Sequence, residues 1–122
     1  MATTWVVRNG RALWNGRPLR AWVDDLVAEI VEEFDPISVW LLGSVARGDD
    51  DADSDIDLLV VVESFAPDET MSLKRRLHRR TQVPVPFDVS FSCPDRFSER
   101  SMIAGTLERA ASREGRLVFQ RE

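Results

Sequence analysis

The sequence predicts an α/β domain of α+β character, a small mixed sheet of three to four strands flanked by helices. Three observations predict it. Stretches with apolar residues at helical spacing alternate with short runs of β-branched and bulky residues. The 122 residues suit one domain, spanning 1–122, around one core. A content of 43% hydrophobic and 30% charged residues is that of an ordinary folded chain, neither disordered nor fibrous.

The elements follow in order. Residues 1–17 carry Trp5, Val6, Val7, Leu13 and Trp14 on either side of Asn9-Gly10, the pattern of a hairpin extension to a core at 18–119. Leu19, Trp22, Val23, Leu26, Val27, Ile30, Val31 and Phe34 recur at helical spacing, with acidic residues largely on the other face. Pro18 suits the first turn of that helix, and Asp35-Pro36 ends it. Residues 37–42 read as a buried strand that stops in a tight turn at Gly43-Ser44. The loop from Asp49 to Asp53 reads as a solvated turn, and residues 55–62, apolar on both faces beyond two aspartates, as a central strand. A helix opens at Pro67 and runs to about Arg80. A strand over 83–92 starts at an edge because of Pro84 and Pro86. One helix from near Asp95 to Arg113, with Met102, Ile103, Leu107 and Ala110 on one side, stops at Gly115, and residues 117–119 add a last strand.

Several function classes are excluded. No apolar run approaches the roughly 20 residues that span a bilayer, and MATTWVVRNG lacks the pattern of a signal peptide. The single cysteine, Cys93, has neither a disulfide partner nor a Cys/His cluster around it, so a reducing cytoplasm is the expected compartment. A formal charge of -5 repels a phosphate backbone, which argues against long nucleic acid as a partner. The basic run from Lys74 to Arg80 is either a solvated helix face or a contact for a nucleotide tail or an acidic partner. His78 within it reads as a surface residue. Oligomeric state is left open, a homo-oligomer included.

The informative segment is Gly43-Ser44-Val45-Ala46-Arg47-Gly48 followed by Ser54-Asp55-Ile56-Asp57-Leu58, with ten residues between Ser44 and Asp55. A glycine at a strand end lets backbone amides approach a ligand, and the Ser44 hydroxyl with the amides of the next turn can donate to a triphosphate. Asp55 and Asp57, two apart on a strand, share a face with α carbons about 6.6 Å apart. Two carboxylates about 4 Å apart would repel by roughly 4 kcal/mol at an effective dielectric of 20, so cations are required, and magnesium is the natural one. Asp88, between Phe87 and Val89, is the candidate third ligand of a two-metal site and acceptor of the proton of an attacking hydroxyl. The bland alternatives are a turn-capping pair for Asp55 and Asp57 and an arginine partner for Asp88. Arg47 either touches phosphate or braces the turn by pairing with the acidic loop.

These residues resemble the DNA polymerase β-like nucleotidyltransferase superfamily, and the short form Gly-Ser-Val-Ala-Arg-Gly with Ser-Asp-Ile-Asp-Leu resembles its minimal nucleotidyltransferases (MNT) over about residues 19–119. The resemblance implies that Gly43 and Ser44 bind the triphosphate of ATP. It also implies that Asp55 and Asp57 coordinate two magnesium ions and that Asp88 holds the catalytic one. It further implies an antitoxin that adds AMP to a tyrosine of a HEPN-type ribonuclease toxin. The chain has no tyrosine, so that acceptor must lie elsewhere. Two other functions stay open. One is a non-catalytic binding module that neutralises its partner sterically. The other is an adenylyltransferase for a small molecule of the aminoglycoside type, for which the sequence offers no acceptor pocket.

Overall fold

Two antiparallel strands, β4 (Ser38–Leu42) and β5 (Ile56–Val61), form the centre of the principal sheet in a computed structural model. The structure describes residues 5–8, 11–14, 16–51 and 53–122. Strand β6 (Phe87–Ser92) lies parallel to β5 and β7 (Arg116–Gln120) antiparallel to β4, so the order is β6-β5-β4-β7. The sheet is thus mixed and four-stranded, and β5 is central because residues 58–61 are all buried.

The N-terminal segment forms a second, three-stranded antiparallel sheet of β1 (Trp5–Arg8), β2 (Arg11–Trp14) and β3 (Arg17–Pro18). Trp5 pairs with Trp14 across the expected hairpin, whose Asn9-Gly10 turn lies outside the described residues. The indole N–H of Trp22 donates to the Trp14 carbonyl at 3.2 Å, tying this sheet to the first helix.

Helix α1 (Leu19–Phe34) buries Leu19, Val23, Leu26, Val27 and Ile30, the stripe its periodicity prescribes. It ends at Asp35, whose N–H makes the last helical bond to the Val31 carbonyl at 3.0 Å and whose left-handed backbone (φ 47°) then turns the chain away, and Pro36 prevents continuation. A 3-10 turn over Pro67–Glu69 leads into α3 (Thr70–Arg80). The basic run on α3 is not simply a solvated face. Arg76 pairs with Glu33 at 3.1 Å, and Arg80 lies within 3.5 Å of Glu32 and 3.7 Å of Glu33, so α1 absorbs much of its charge.

The third expected strand and the last expected helix differ from the observed elements. The strand expected over 83–92 is shorter, because Pro84 and Pro86 have no N–H for a ladder; Val83 and Val85 are nevertheless buried. The helix expected from Asp95 to Arg113 is two helices, α4 (Pro94–Arg100) and α5 (Leu107–Glu114). Gly105 at φ 87° turns the chain, and the Thr106 hydroxyl caps α5 by accepting from the Arg109 N–H at 3.1 Å. Met102 and Ile103 consequently face solvent at 77% and 53% exposure instead of joining Ala110. The pair of helices is held to the sheet by Glu108, 3% exposed, whose carboxylate accepts from the Ser92 hydroxyl at 2.9 Å and Arg100 Nε at 3.2 Å, with Arg96 Nε at 3.5 Å. Removing the arginines would leave the Glu108 carboxylate buried without a counter-charge.

Candidate active site

Leu42 ends β4 opposite Asp57 of β5, and the chain leaves the sheet there through Gly43. Gly43 sits at φ 72°, and a Cβ added to it would stand 2.7 Å from Asp57 Oδ2. The glycine is therefore required twice, once by the left-handed backbone and once by the carboxylate lying against it. The expected tight turn is a five-residue helix, α2 (Gly43–Arg47), closed by Gly48 at φ 81° and anchored by buried Val45 and Ala46.

The spacing of the motif has a local cause. Ser44 Oγ donates to Ser54 Oγ at 3.0 Å, so the loop returns to its own start one residue before Asp55. Asp51 stiffens the return by accepting from the Asp53 N–H at 2.9 Å and the Ser54 hydroxyl at 3.2 Å. The acidic loop is only partly solvated: Asp49, Asp51 and Asp53 are exposed, whereas Asp50 is 1% exposed and belongs to the interior. Arg47 Nε lies 3.3 Å from Asp49 Oδ2, so Arg47 braces the loop. Both partners are more than half exposed, and such a pair is worth at most about 1 kcal/mol, weak enough to exchange for another anion.

Asp57 and Asp88 are register neighbours on the parallel strands β5 and β6 and so leave the sheet on one face, with Asp55 two residues before Asp57. Their proximity is electrostatic as well as geometric. Burial pushes the Asp57 carboxyl up to about 6 from its ordinary 3.8, helped by the negative charges of Asp55 and Asp88 and by a hydrogen bond with Asp55. Asp88 is exposed, and its Oδ1 accepts from Lys74 Nζ at 3.1 Å, so its cationic neighbour is a lysine and not an arginine. Among the described residues, no three His, Cys, Asp or Glu side chains converge closely enough to share a metal ion in this arrangement.

A cleft of about 320 Å³ opens over this floor, lined by Gly43, Arg47, Asp57, Asp88, Leu107 and Glu114 among others. The α5 wall of the cleft and the lysine on Asp88 are the contributions that local sequence patterns do not reveal. The basic run pointed to Lys74 only as charge, and nothing local marks Leu107 or Glu114 as neighbours of a strand fifty residues earlier. His78 is exposed as expected, and its ring stacks on Phe87 at 4.6 Å and 8°.

A glycine-headed loop clasped to the strand beside it, with aspartates on adjoining strands under a cleft, is a frame for handling a phosphorylated ligand. The chain belongs to the nucleotidyltransferase domain family, which it matches over residues 23–114, from within α1 to the end of α5. Its chemistry is accordingly nucleotidyl transfer, with a nucleotide as substrate. A candidate nucleotidyltransferase from Sulfolobus solfataricus, known from a crystal structure, is similar in fold with a TM-score of 0.55 and 22% identity, covering 84% of this chain and 81% of that one. No curated protein matches the chain. No helix among the described residues is long and apolar enough to cross a membrane.

Proposed function

We propose that the chain is a cytoplasmic, magnesium-dependent adenylyltransferase that moves AMP from ATP to a tyrosine hydroxyl of a HEPN-type toxin, and so acts as its antitoxin. The observation that carries the catalytic part is the Asp57 carboxyl, raised to about 6, lying against Gly43 beside its register neighbour Asp88. Carboxylate oxygens gathered at one place, with Asp57 destabilised by the negative charge of its neighbours, fit a divalent cation. Asp55 and Asp57 would hold both ions, with Asp88 joining at the catalytic one. When bound, magnesium supplies positive charge for the transferring phosphate and lowers the pKa of the attacking hydroxyl. Gly43 and Ser44 hold the triphosphate, and Arg47 turns from Asp49 to a phosphate oxygen. The tyrosine oxygen forms a bond to the α-phosphorus as the bond to the β-phosphate oxygen breaks, its proton passes to Asp88, and pyrophosphate leaves.

The partner assignment rests on the resemblance to minimal nucleotidyltransferases. It is supported by exposed apolar Leu107 on the α5 wall of the cleft and by exposed Met102 and Ile103 in the turn that precedes α5. Labelled ATP, magnesium and a HEPN toxin incubated with the protein are expected to label the toxin, and Asp55→Ala with Asp57→Ala to abolish the label. An unlabelled toxin, or growth rescue undiminished in the double variant at equal expression, would overturn it in favour of steric neutralisation. Arg47→Ala is expected to raise KM for ATP by less than about tenfold, since a flexible exposed cation contributes at most about 1 kcal/mol; initial rates against ATP concentration check this.

A further inference from the structure

We propose that Lys74 is a built-in counter-cation for Asp88. Its ammonium holds the carboxylate in the resting protein, and a divalent ion gains that carboxylate only by displacing it. The inference rests on the reading of Asp55, Asp57 and Asp88 as metal-holding residues. It starts from one contact, Lys74 Nζ to Asp88 Oδ1 at 3.1 Å. The lysine side chain is 27% exposed and so is largely packed against the protein, while the carboxylate it reaches is 59% accessible.

The docking of α3 explains why it arrives there. Leu77 is fully buried, and the His78 ring lies flat on Phe87, the residue before Asp88. Lys74, one helical turn before His78, therefore comes to rest over the neighbouring position of the strand. Asp57, its register neighbour on β5, adds only negative charge, and no second ion pair to Asp88 exists among the described residues. An ion pair this exposed contributes little to folding, since Asp88 is 59% accessible. Its larger effect falls on a cation competing for the same oxygens, because a fixed positive charge within a few ångströms of a divalent ion opposes its binding. That two of the three carboxylates attend each other while the third attends Lys74 also accounts for the lack of a ready three-ligand cage.

Manganese binding by the nucleotide-free protein, followed by the loss of the free-ion paramagnetic resonance signal, tests this. Lys74→Met keeps the aliphatic stem and is expected to bind Mn2+ roughly tenfold more tightly, Lys74→Gln likewise, and Lys74→Arg with wild-type affinity. In an Asp88→Asn background the Lys74→Met gain should vanish, because the competition acts through that carboxylate. Unchanged or weaker binding in folded Lys74→Met and Lys74→Gln, or the same gain with Asp88→Asn, overturns the proposal. If Asp57→Asn binds Mn2+ as the wild type does, the metal-site reading itself fails, whatever Lys74 does.

Discussion

Asp57→Asn is expected to lower nucleotidyl transfer by about a thousandfold or more while making the metal-free protein more stable at neutral pH. The two effects share one cause. The Asp57 carboxyl titrates near 6 in the folded chain against an ordinary 3.8, because burial and the neighbouring Asp55 and Asp88 disfavour its ionised form. A raised folded pKa means that the protonated group adds stability fully below about pH 4 and that this contribution is lost as pH climbs through 6. At pH 7 the wild type carries the whole penalty, and the uncharged asparagine carries none. With allowance for solvent screening the difference is about 1–2 kcal/mol, or a rise of roughly 3–8 °C in Tm. Thermal melts in the presence of a chelator from pH 4 to 8 measure it. A gain that appears at neutral pH and shrinks toward pH 4 is the expected result; no gain, or one independent of pH, counts against this electrostatic account. Added magnesium should reverse the order at pH 7 by stabilising the wild type alone, as any ligand of the native state does.

Gly43→Ala is the second large effect. The methyl group would stand 2.7 Å from Asp57 Oδ2 on a backbone at φ 72°. The left-handed conformation costs a non-glycine residue about 1–2 kcal/mol, and relief of the overlap must push the carboxylate aside. A displacement of about 1 Å at a reacting centre can lower activity by about a hundredfold, so loss of turnover on that scale is expected with a folded protein. The clash and the backbone strain separate in a double-mutant cycle. With Asp57→Ala already present the overlap is gone, and the stability cost of Gly43→Ala should fall to the backbone contribution alone. Equal costs in both backgrounds would show that the carboxylate does not lie against the glycine.

How far the chain could be read before folding depends on the range of the forces involved. Helix α1 and strand β5 were legible because one periodicity and one apolar run decide them locally. The break between α4 and α5 was not, because Met102, Ile103, Leu107 and Ala110 keep helical spacing through it. Gly105 and the burial of Glu108 against Ser92, Arg96 and Arg100 override that spacing. Asp50 is indistinguishable by residue type from its solvated neighbours, yet the fold around the loop encloses it.

Chain order alone determines the apolar strands, the glycine at the strand end and the carboxylates two apart, since these depend on residue type and on alternation over a few positions. What that order leaves undecided is which distant side chains face one another. Asp88 comes beside Asp57 through parallel pairing of β6 with β5, Lys74 reaches Asp88 only once α3 has docked, and α5 walls the cleft only because the chain turns at Gly105 between α4 and α5. Each of these is a long-range contact whose energy exists only after the segments between have packed, so no local pattern records it.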